Sequence, residues 1–135
     1  MQGTEVELLR HSYEALNEGN VEAPLAALAV DAVWRESAEL PGANVVRGRS
    51  EIEAFLKEFL ETWSSFHQEI EGIQVNGDQV AVLLHMRAVG RSSGAEIDAQ
   101  YGHVWTMRDG RGVSVDAYRD QSAALRALEA EASTP

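Results

Sequence analysis

The chain has 135 residues, 44% apolar and 24% charged, which suits one globular domain with a real core. Its 22 acidic and 11 basic residues leave a net charge of −11, a surface that repels phosphate backbones and anionic lipid, so neither nucleic acid nor membrane is expected as a partner. The absence of cysteine excludes disulfides, thiolate metal sites and cysteine nucleophiles, and fits a reducing, cytoplasmic location.

The first helix is expected from "TEVE", where Thr4 and Glu7 have capping-box spacing, and Val6, Leu9, Tyr13 and Leu16 follow at helical intervals. Gly19 supplies its stop. A short second helix lies in "NVEAPLAALAV", with Asn20 as its cap and Pro24 near its first turn. "DAVWRES" reads as a brief strand and "AELPGANVVRG" as a loop. A second capping box, Ser50 with Glu53, opens the third helix, whose apolar stripe is Ile52, Phe55, Leu56, Phe59, Leu60 and Trp63. No bilayer-spanning run of about eighteen apolar residues occurs. The start of the chain lacks the basic-then-apolar pattern of a secretory signal.

Beyond Trp63 the period changes from helical to alternating. "FHQEIEGIQV" and "QVAVLLHMRAVG" are strands joined at Asn76-Gly77, and "EIDAQYGHVWTMR" and "GVSVDAYRD" are strands joined at Asp109-Gly110. "SAALRALEAEA" closes the chain as a helix capped by Ser122. This order predicts an α+β fold with a curved antiparallel sheet, helices on one face, and a cone-shaped pocket suited to a small apolar ligand.

Three stretches carry a resemblance. "YEALNEGNVEAPLAALAVDAVW", "VRGRSEIEAFLKEF" and "HVWTMRDGRGVSVDAYRD", in this order, resemble the opening helices, the long-helix entry and the last hairpin of the SnoaL-like branch of the nuclear-transport-factor-2-like superfamily. The resemblance runs from roughly Thr4 to Leu128 and implies a single domain over residues 1–135. It implies a half-barrel cone covered by three N-terminal helices. Members of that fold include isomerases, cyclases, dehydratases, epoxide hydrolases and non-catalytic binding domains, so the family does not fix an activity.

Laid against the steroid-isomerase pattern, the catalytic base falls on Glu36. The tyrosine position falls on Ser12, with Tyr13 about 100° further round the helix. The position of the protonated carboxyl falls on Gly102, which has none to offer. The limonene-epoxide-hydrolase pattern departs further: its nearest arginine is Arg87, and its last-strand carboxylate falls on Ala117, with Asp116 facing the other side. The same alignment turns Gly102, Val104, Val115 and Ala117 inward and Tyr101, His103 and Trp105 outward. Apolar content alone instead puts Ile97, Tyr101, Trp105 and Met107 inside.

The candidate site is therefore Glu36 as general base, with Trp34, Tyr13, Trp63, Asp98, Gln100 and His103 as ligand contacts. Histidines 11, 67, 85 and 103 are scattered without ligand spacing, so no metal is expected, and no cofactor either. Two functions fit: a cofactor-free isomerase, cyclase or hydrolase acting on a small apolar molecule, or a non-catalytic binding or scaffold domain. A homodimer through the convex sheet face is expected, because His85, Arg87, Tyr101, His103, Trp105 and Tyr118 read as one row there, too aromatic to leave in water.

Overall fold

The computed structural model describes residues 3–38 and 44–132. In chain order the elements are α1 (Gly3–Asn17), α2 (Glu22–Ala26), β1 (Leu28–Glu36), β2 (Asn44–Arg47), α3 (Arg49–Glu61), β3 (Trp63–Asn76), β4 (Gln79–Gly90), β5 (Glu96–Arg108), β6 (Arg111–Tyr118) and α4 (Gln121–Ala132).

Helix α1 buries Leu9, Tyr13 and Leu16 along one stripe and stops before Gly19, at φ 81°. Thr4 lies inside this helix rather than ahead of it. Asn20 caps α2, its Oδ1 accepting from the backbone N–H of Glu22 at 2.9 Å.

Four local expectations are corrected. The segment read as a loop contains β2, whose Val46 lies opposite Trp34 of β1; its remaining residues 39–43 lie outside those described. Four residues on a sheet edge are too few to show a period. Helix α3 starts from Gly48 at φ 86°, with no side-chain cap, so Ser50 is already helical and Glu53 pairs with Lys57 at 3.2 Å instead. It ends at Glu61, so Trp63 opens β3 and does not extend the helix stripe. Helix α4 is capped by Asp120, whose Oδ1 accepts from Ala123 N–H at 2.7 Å, not by Ser122.

The sheet runs β2-β1-β6-β5-β4-β3 and does not close. Every pairing is antiparallel except β1 with β6, which is parallel. The β5–β6 turn holds Asp109 and Gly110 at φ 53° and 79°, the type I′ geometry that matches strand twist. In the β3–β4 hairpin Asn76 pairs with Gln79, so the two-residue loop is Gly77–Asp78.

Helices α1, α2 and α3 cover one face, where Leu9, Leu25, Ile52 and Leu56 meet Val80, Val82, Leu84, Trp105 and Val115. Asn17 ties the end of α1 to β3, donating to Gln68 O and accepting from Gln68 N, each at 2.9 Å. The expected α+β cone is present, but the helices are not all on one face. Helix α4 lies across the opposite side, packing Ala124 and Leu128 on Ala81 and Val104. Gly102 permits this approach, since a Cβ there would stand 2.6 Å from that of Ala124.

Strand β5 therefore faces the other way from the alignment's reading. Tyr101, His103, Trp105 and Met107 point into the helix-covered face; Gly102 and Val104 point to α4. Register explains why. His103 lies opposite Ala117 and Trp105 opposite Val115, and directly paired residues share a face. The inward placement of Val115 and Ala117 thus requires that of Trp105 and His103. The proposed convex row is split: His85 and Arg87 lie outside, both beside Asp98, while Tyr118 packs with the α4 cluster. The motive for a dimer through that row is removed. No helix among the described residues is long and apolar enough to cross a membrane.

Two substitutions test these layers. Leu56→Ala, at a position only 4% exposed, should cost about 2–5 kcal/mol in denaturant unfolding, and a loss under about 1 kcal/mol would contradict its burial. Gly102→Ala should cost about 1–3 kcal/mol, because α4 must move off the sheet. An unchanged midpoint would contradict the close approach.

Candidate functional site

Between α1–α3 and the concave sheet face lies a cavity of about 420 Å³. Ligand sites span roughly 300–1,000 Å³, so it can take a small organic molecule. Its walls are mostly apolar: Leu16, Leu28 and Leu56, with the rings of Phe55, Phe59, Trp34 and Trp105. Among the described residues its charged lining is Glu36 and the exposed Arg119.

Alternation along β1 places the carboxylate. Trp34 and Glu36 both line the cavity, whereas Arg35 between them points away and pairs with Asp116 of β6 at 2.9 Å. Ser37 then takes φ 52°, bending the chain out of the strand. Trp34 Nε1–H donates to Glu36 Oε1 at 2.6 Å. Burial pushes the Glu36 carboxyl above its ordinary range, and the Trp34 hydrogen bond offsets this only in part. A carboxyl raised in this way takes and returns protons more readily near neutral pH.

Beside Trp34 on the same concave face runs a polar seam within the apolar lining. Tyr13 Oη lies 2.6 Å from His103 Nδ1, and Trp105 Nε1–H donates to the same Tyr13 oxygen at 2.8 Å. The Trp34 ring stands edge-on to His103, with centroids 5.1 Å apart. Tyr101 donates its hydroxyl to Gln68 Oε1. Burial lowers the His103 pKa to about 3, so the ring is neutral at ordinary pH. Burial likewise raises both tyrosine hydroxyls; at Tyr101 the Glu36 charge adds to this. The seam therefore consists of neutral hydrogen-bonding groups.

Of the residues singled out from the sequence, the cavity gathers Glu36, Trp34, Tyr13 and His103. It does not gather Trp63, Asp98 or Gln100. Trp63 packs on Phe59 at the head of β3. Asp98 and Gln100 share the outward parity of Gly102, where Asp98 meets His85 and Gln100 donates to Glu71 at 2.8 Å. Their placement followed the alignment and falls with it. Gln68 was missed, although its signal is local: it stands between Phe66 and Ile70 on the inward parity of β3, a polar residue in an apolar series. Tyr101 and Trp105 were legible only as alternatives. Among the described residues no group of three histidine or acidic side chains is placed to hold a metal ion.

The fold recurs in solved structures. An NTF2-like protein of unknown function from Burkholderia pseudomallei superposes with a TM-score of 0.77 at 22% identity, covering 94% of this chain and 98% of that one. A hypothetical protein with a ketosteroid isomerase-like fold from Catenulispora acidiphila, in complex with trimethylamine, gives 0.74 at 17% identity, over 89% and 90% of the two chains. An LEH-like epoxide hydrolase from M. tuberculosis gives 0.70 at 18%, over 93% and 90%. At these identities the likeness is one of fold. Comparison with curated proteins gives no sequence match. The family model of the SnoaL-like domain matches residues 9–115, most of the chain, and this establishes that the chain belongs to the SnoaL-like domain family.

Proposed function

We propose that the chain binds a small, apolar molecule in this cavity and acts on it by cofactor-free acid/base chemistry, an isomerisation or a cyclisation, with Glu36 as the base. The carrying observation is one half-buried carboxylate in an apolar cavity, held by Trp34 at 2.6 Å and raised in pKa by burial. In an isomerisation Glu36 would take a proton from a carbon made acidic by its neighbours and return it to another, so that protons balance without a cofactor. Trp34 would aim the carboxylate throughout.

A second reading is a binding domain without chemistry. It draws on the lack of a second carboxyl among the described lining residues, and on the Glu36–Trp34 hydrogen bond, which by itself gives Glu36 a structural role.

Glu36→Gln separates the two, because glutamine keeps an oxygen to accept from Trp34. If Glu36 is the base, proton exchange into a bound substrate in heavy water should fall by about 10²-fold or more. If the cavity only binds, exchange is absent in both proteins and affinity for a neutral ligand is the same.

The same variant tests burial. A carboxyl with a raised folded pKa binds more protons folded than unfolded, so its contribution to stability is full at low pH. That contribution is lost as pH climbs from the unfolded value of about 4.3 through the folded one. Glu36→Gln should then be at least as stable as the parent near neutral pH, and the difference should vanish in acid. Parallel unfolding curves at all pH values would remove the buried charge from the account.

A further inference from the structure

Asn76 and Gly77 stand where the β3–β4 hairpin turns, and the side chain of Asn76 reaches out of the hairpin to α4. Its Nδ2 donates to Leu128 O at 2.9 Å, across 52 positions of chain. Leu128 itself packs on Ala81 and Val104, on the side of the sheet away from the cavity. At the start of α4 the fastening is different: Ala124 rests over Gly102, and Gln121 Nε2 donates to Glu71 at 2.8 Å. The Asn76 amide thus ties the far end of α4 to the hairpin tip. The same amide has a reactive neighbour. Gly77 is exposed at φ 62°, and a Cβ built on it meets nothing within 4 Å, so water and hydroxide reach this turn. A glycine after an asparagine puts no side chain between its backbone nitrogen and the asparagine Cγ.

We infer that Asn76 is a site of spontaneous deamidation guarded by α4, and that its conversion releases the C-terminal turns of α4 from the sheet. Hydroxide takes the Gly77 amide proton, and the bared nitrogen bonds to Asn76 Cγ. The Cγ–Nδ2 bond breaks, and Nδ2 leaves as ammonia with a proton from water. One water then opens the cyclic imide to aspartate or isoaspartate. The net change is one water gained and one ammonia lost, with no oxidant or cofactor. The guard is the hydrogen bond: while Nδ2 is held on Leu128 O, the side chain is restrained from swinging onto Gly77 N. The product cannot restore that bond. A carboxylate has no proton to give Leu128 O, and it sets a negative charge near the negative end of a helix. Isoaspartate also lengthens the backbone of β3 by a methylene, beside the pairing of Asn76 with Gln79. Each opening of α4 therefore favours a change that keeps it open. The surface uncovered is apolar, since Ala81 and Val104 are buried in the intact protein. None of these residues lines the cavity, so the inference stands apart from any activity there.

Incubation of the full chain at about pH 9 and about 37 °C tests the site, because hydroxide drives the first step. Peptide mass spectra should show a gain of about 1 Da at Asn76, accompanied by isoaspartate. Asn76→Gln should show no gain there, since its longer side chain closes the ring far more slowly. Leu128→Ala, or Leu128→Val should the alanine chain not fold, loosens the packing of α4 and should speed the gain by about 3-fold or more. Asn76→Asp reproduces one product. Its backbone amides at 125–129 should exchange with heavy water about 10-fold faster than the parent's, while those of α1 and β4 keep the parent's rates. A parent that gains no mass at Asn76 while its urea-unfolded chain does overturns the site. An equal rate in the Leu128 variant overturns the guard, and unchanged α4 exchange in Asn76→Asp overturns the release.

Discussion

The alternation of β5 is the constraint on which both layers depend. Its large residues, Tyr101, His103, Trp105 and Met107, fill the concave side; Gly102 and Val104 leave the convex side thin. The large side supports three helices and still encloses a cavity. The thin side lets α4 lie close enough for Ala124 to rest where a Cβ of residue 102 would stand. Shifting this strand by one residue would turn four bulky groups under α4 and empty the cone, so the pairing register is a condition of the whole architecture.

Burial acts in opposite directions on Glu36 and His103, both of which line the cavity, with one outcome. It raises the Glu36 carboxyl and lowers the His103 imidazole, in each case favouring the uncharged form. The site combines a carboxyl of raised pKa with a seam of neutral hydrogen-bonding groups. That pairing motivates the acid/base reading.

Local signals in the chain were strong where the period was long and unbroken. The bounds of β4 and β5, the two tight hairpins and the buried face of α1 follow from alternation, turn residues and helical spacing. Short elements and caps were less legible. β2 has four residues, and the N-termini of α3 and α4 depend on which neighbouring group reaches a free backbone N–H. Such choices are settled by the approach angle of the chain, which spacing does not encode.

Composition and pattern by themselves determined the fold class, the acidic surface and the position of Glu36 at the end of the first strand, and the resemblance of three stretches supplied the family. Tertiary structure decided which face of β5 is the inside. Both faces of that strand are covered, one by α1–α3 and the other by α4, so an alternating strand carries two plausible interiors. Only the pairing of His103 with Ala117 and Trp105 with Val115, together with Gly102 beneath Ala124, chooses between them. The contact of Tyr13 with His103 is of the same kind: the two lie 90 positions apart, and no local rule connects a helix at one end of the chain to a strand near the other.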